Sequence, residues 1–83
     1  MSANETMKIK IDFDKSQEVR DTVSEVYEAL TVKGYDPISQ MVGYILSGDP
    51  TYITSHDGAR SKITRIERDE LLEEFVKEYI ENI

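Results

Sequence analysis

The chain has 83 residues, with 17 acidic side chains against 10 Lys and Arg, a formal net charge of −7, and neither Cys nor Trp. So short a chain forms one domain that buries only roughly 60 to 65% of the surface its unfolded form exposes. Without cysteine, no disulfide or thiolate metal site can staple it, and oligomerisation is the remaining route to extra burial.

No apolar run approaches the roughly 20 residues needed to span a bilayer, and Met1-Ser2-Ala3-Asn4-Glu5 lacks the charged and apolar regions of a signal peptide. A cytoplasmic location without membrane insertion is the expectation. The negative charge repels nucleic-acid phosphates and anionic lipids, so neither is an expected partner.

Residues 1–7 are small and polar without periodicity, which predicts a mobile tail. Lys8 to Phe13 alternates with period two, as a half-buried strand does, placing Ile9, Ile11 and Phe13 on one side. A lone strand cannot satisfy its own backbone, so this stretch either pairs with its copy in another subunit or serves as an extended arm. Residues 1–14 are therefore set apart from a helical domain over residues 15–83.

Val19, Val23, Val26, Tyr27 and Leu30 recur at helical spacing and predict a first helix from about Ser16 to Lys33, ended by Gly34. Asp36-Pro37 is a cap followed by proline at the first helical position, where its missing N–H costs nothing. Ile38, Met41, Val42 and Ile45 form the stripe of a second helix, read as facing the core. Gly48 closes that helix, and Asp49-Pro50 repeats the start for a short turn through Tyr52-Ile53. Gly43 interrupts the second helix at a cost of about 1 kcal/mol relative to Ala, which points to close approach of another helix or to a kink.

Thr54 to Gly58 reads as a loop. Ala59, Ile63 and Ile66 then mark a further helix with Arg60, Lys62 and Arg65 on its polar side. The last helix, about Glu67 to Asn82, presents Leu71, Leu72, Phe75, Val76, Tyr79 and Ile80, with Glu74 and the other acidic residues outward. The predicted architecture is mainly α: a compact bundle of about four to five short helices with a flexible N-terminal arm.

Little here points to catalysis. His56, the one histidine, lies between Ser55 and Asp57, but sequence neighbours seldom converge on one reacting atom, and Asp57-Gly58 reads as turn chemistry. The glycines match neither a dinucleotide fingerprint nor a phosphate loop, and the carboxylates of the last helix read as a solvated face, so no metal or cofactor is expected. The cluster Arg60, Lys62, Arg65 and Arg68 opposes the global charge. It reads as a solvated or internally paired face, with phosphate recognition as the functional alternative.

The run from Gly34-Tyr35-Asp36-Pro37 through Gln40-Met41-Val42-Gly43-Tyr44 to Gly48-Asp49-Pro50-Thr51-Tyr52-Ile53 resembles the signature of the IreB family, small regulatory phosphoproteins of low-GC Gram-positive bacteria. The similarity continues through Asp57-Gly58-Ala59-Arg60 and from Ile66 to Val76. The resemblance implies a helical homodimer that is a substrate of a membrane-anchored Ser/Thr kinase with penicillin-binding extracellular repeats, and of its phosphatase. It further implies a role in cell-envelope stress and cephalosporin resistance, through an unknown downstream target. The family's tail pattern matches Glu5-Thr6-Met7 and carries the phosphoacceptor over to Thr6, while a second tail threonine has no equivalent here. Phosphate on Thr6 would add about −1.5 to −2 charges and either dock on Arg60, Lys62, Arg65 or Arg68 or be repelled by the acidic body. The alternative from a different class is a nucleic-acid-binding adaptor using residues 48–66 as a helix-turn-helix.

Overall fold

The computed structural model describes the backbone of residues 2–83 and the side chains of residues 15–83. Four α-helices follow one another: α1 (Ser2–Val32), α2 (Pro37–Ser47), α3 (Ala59–Ile63) and α4 (Arg68–Glu81). Single-turn 3-10 segments at Pro50–Tyr52 and His56–Gly58 fall between α2 and α3. Lys8 to Phe13, read from its alternation as a strand or extended arm, falls within the bounds of α1. The physical reason is backbone satisfaction: a lone six-residue strand leaves its N–H and C=O groups unpaired, whereas a helix closes them on itself. The expected tail and its Thr6 lie outside the residues whose side chains are described.

α1 contributes the stripe Val19, Val26, Ala29 and Leu30, all buried, with Val23 packed against them. Ile53, Ala59, Ile63, Ile66 and Leu71 meet that stripe from the other elements. Leu30, Ile53, Ile63 and Leu71 are fully buried, and burying such a side chain contributes about 1.5–3 kcal/mol before conformational entropy is subtracted. α1 thus serves as the post against which α2, α3 and α4 pack.

The two Gly-to-Asp-Pro junctions do the chain reversal that this packing needs. At the first, the Tyr35 N–H donates to Leu30 O at 2.9 Å and Gly34 takes φ +85°, closing the end of α1. Asp36 then caps α2 by accepting from the Ile38 N–H at 3.2 Å. At the second, the left-handed Gly48 donates its N–H to Tyr44 O at 2.7 Å, and Asp49 accepts from both the N–H and the hydroxyl of Thr51, at 3.0 and 2.7 Å. These hydrogen bonds stabilise the charged carboxylate and hold the exposed Asp49 below its ordinary pKa.

Gly43 is explained by contact rather than by conformation. A Cβ there would lie 2.4 Å from the Tyr52 ring, so the ring of the Pro50–Tyr52 turn, rather than another helix, lies against the α2 backbone. Gln40 fastens the same turn by donating from Nε2 to Tyr52 O at 2.9 Å. α2 and the following turn therefore form one folded-back unit, set by residues within a single short run of sequence.

Candidate interaction groove

The core uses only part of the apolar surface that the helices offer. On α2, Met41 and Tyr44 are buried, whereas Ile38 is 72% and Leu46 80% exposed. The expectation that Ile38, Met41, Val42 and Ile45 all face the core therefore holds for Met41 and in part for Ile45. Ile38 and Val42 lie outside the core and stay exposed. Tyr27 on α1 and Leu72 on α4 are about half exposed in the same way.

These side chains converge. Tyr27 of α1, Ile38, Val42 and Leu46 of α2, and Leu72 and Phe75 of α4 line an open groove of about 820 Å³. On α4 the exposed apolar surface continues as Leu72, Val76, Tyr79 and, just past the helix end, Ile83. The spacing of four, three and four residues is that of a helix seam without a partner helix. An apolar surface of this kind on so small a domain is a candidate contact site, because leaving it to water carries a free-energy cost.

One edge of the groove is polar. Glu74, expected outward on α4, is instead only 6% exposed. It accepts from the Ser16 hydroxyl at 2.6 Å and from Arg20 Nε at 3.0 Å, and Arg20 also pairs with Glu78. Burial on its own raises the Glu74 pKa. The hydrogen bonds from Ser16 and Arg20, with the charges of Arg20 and Lys77, outweigh it and leave the carboxyl below its ordinary value of 4.5. Glu74 is therefore an ionised tie between α1 and α4. Sequence periodicity had no means of finding it, because its partners lie 54 and 58 residues away.

The cationic residues singled out from the sequence do not form one anion cradle. Arg60 donates from Nε to Ile53 O at 2.8 Å, Lys62 pairs with Glu25 of α1 at 2.9 Å, and Arg68 donates to Ile45 O at 2.9 Å near the end of α2. Each holds a different element. Arg65 is exposed, with no ion pair among the described residues. Residues 48–66 comprise two single-turn 3-10 segments and the five-residue α3, which supplies no recognition helix of useful length. His56 Nε2 lies 3.3 Å from its neighbour Asp57, on a loop where Asp57 and Gly58 both have positive φ, and no hydrogen bond links it to Ser55. Among the described residues no three His, Asp or Glu side chains converge as metal ligands do, and no helix is long and apolar enough to cross a membrane.

Fold and groove together define a small all-helical domain with a short, turn-stapled core and an uncovered apolar face. Residues 4–81 match the family model of the IreB regulatory phosphoprotein. A UPF0297 protein of Ruminiclostridium cellulolyticum is 58% identical over 82 residues, covering 99% of this chain and 93% of the relative. Another, from Acetivibrio thermocellus, is 58% identical over 81 residues, covering 98% and 90%. The chain belongs to the IreB family, and that membership supports a regulatory, non-catalytic role.

Proposed function

We propose that this chain is a cytoplasmic regulatory phosphoprotein that acts by binding, is phosphorylated on Thr6 by a membrane-anchored Ser/Thr kinase and dephosphorylated by the matching phosphatase, and takes part in cell-envelope stress signalling. The observation that carries the reading is the family match over residues 4–81, which includes Thr6 and the whole helical body. The uncovered groove supports it from the side of physics, because a protein that works by contact needs a surface to make contact with.

The same reading assigns the groove to self-association. In a two-fold dimer the surface must complement itself, and this chain carries both halves of such a contact. The groove is lined by α1, α2 and the first half of α4, and the exposed seam residues Val76 and Tyr79 lie further along α4. An 83-residue domain also gains from a partner the burial that its own core lacks.

The phosphorylation reading is tested by incubating the full chain and its Thr6→Ala variant with the kinase domain of such an enzyme and ATP, followed by mass spectrometry of intact protein and peptides. A single phosphate on the wild type that is absent from the variant is expected. Equal incorporation into both, or a phosphate mapping to the helical body, would contradict the assignment.

A further inference from the structure

The two halves of α4 are held by different forces. Toward its N-terminus the helix is anchored in the core: Leu71 is fully buried, Phe75 packs against the core cluster, and Arg68 donates to Ile45 O. Beyond Phe75 no apolar side chain of α4 is buried, Val76, Tyr79 and Ile80 all being more than half exposed. What binds this second half to α1 is charge. Arg20 reaches across with Nη2 to Glu78, while its Nε and, one turn earlier on α1, the Ser16 hydroxyl hold Glu74 at the end of the anchored half. Arg20 and Glu78 are both open to solvent, at 47% and 37% side-chain exposure, and ion pairs that water reaches open readily.

Arg20, Glu74 and Glu78 also line the end of the apolar groove. A displacement of the second half of α4 would therefore change the groove and carry the seam residues Val76 and Tyr79 with it. We propose that Arg20 is the clasp of a hinged α4: when its pair with Glu78 opens, the segment after Phe75 comes away from α1, while Leu71, Phe75 and the buried Glu74 stay in place as the pivot and the core of α1, α2 and α3 stays folded. The clasp then governs whether the groove and seam are presented together. This last step rests on the groove being the contact surface proposed above. The hinge itself does not.

The test compares wild type with Arg20→Gln, which removes the charge but keeps comparable bulk, and with Arg20→Lys, which keeps the charge but loses the fork to two carboxylates. Amide hydrogen exchange followed by NMR at a concentration where the chain is monomeric reads each helix separately. In Arg20→Gln the amides of residues 77–81 should exchange about tenfold faster, those of Val26, Leu30 and Ile63 should change by less than about twofold, and Arg20→Lys should fall between. Acceleration spread evenly over all helices would mean that α4 and the core open as one unit, and unchanged rates at residues 77–81 would mean that Arg20 holds nothing; either overturns the clasp. Sedimentation of the same variants separates the two claims. A wild type that is monomeric at every concentration removes the self-association reading, while the exchange data still decide the hinge.

Discussion

The segment from Gly34 to Ile53 and the helix α4 are built on opposite terms. In the first, nearly every residue that sets the backbone acts on a neighbour a few positions away. Gly34 ends α1, Asp36 caps α2, Gly48 ends it, Asp49 caps the next turn, and Gly43 admits the Tyr52 ring. In α4 one leucine and half of a phenylalanine face the core, carboxylates led by the buried Glu74 tie the helix to α1 through distant partners, and the remaining apolar side chains face solvent. Local, short-range chemistry makes the scaffold. Long-range and unfinished packing leaves the uncovered apolar face.

That contrast is sharpest at leucine. Leu71→Ala removes a fully buried side chain and should destabilise the fold by about 2–5 kcal/mol, whereas Leu46→Ala, at an 80% exposed position, should change monomer stability by no more than about 0.5 kcal/mol. Denaturant titration of both variants at low concentration checks the pair. Comparable losses would erase the distinction between core and groove.

Glu74→Ala tests the tie. It removes the partner of the Ser16 hydroxyl and of Arg20 Nε and should cost about 1–3 kcal/mol, less than a fully buried ion pair would because Arg20 is half exposed and keeps Glu78. The pH dependence follows in sign. A carboxyl whose folded pKa is lowered contributes its full stabilisation above the ordinary value of 4.5 and loses it as pH falls through the lower folded value. The stability difference between wild type and Glu74→Gln should accordingly shrink below about pH 4.5. A difference that persists unchanged at pH 3 would mean that the charge is not what matters.

Within the scaffold, Gly43→Ala places a methyl group against the Tyr52 ring and should destabilise by about 1–2 kcal/mol despite alanine's better helix propensity. In a Tyr52→Ala background the same change should become neutral or stabilising, since the obstructing ring is gone. Gly34→Ala is the mildest case. Nothing lies within 4 Å of its would-be side chain, so only the positive φ of 85° opposes it, at a cost of about 1 kcal/mol.

The fold was legible in sequence where short-range rules govern it. Both Asp-Pro starts, both Gly stops, the buried face of α1 except for the exposed Tyr27, and the helical character of the last segment follow from spacing and capping alone. Lys8 to Phe13 misled because six alternating residues satisfy a strand template without saying whether a partner strand exists. The groove was half legible. Apolar stripes on α2 and α4 were plain, but a stripe wider than the core that receives it does not announce which of its residues stay outside. Ile38 and Met41 look alike in sequence, and only packing separates them. Glu74 was not legible at all, since an acidic residue on an acidic helix carries no sign of a serine and an arginine reaching it from the far end of the chain.

The central claim is that the uncovered groove is a contact surface and not idle apolar area. Sedimentation equilibrium of wild type and Leu46→Glu over a range of concentrations, with thermal unfolding of each as control, tests it most directly. The account predicts a concentration-dependent dimer for wild type and a monomer with native helix content for Leu46→Glu, because a charge at the groove cannot be buried unpaired. Identical mass distributions for the two proteins would contradict it.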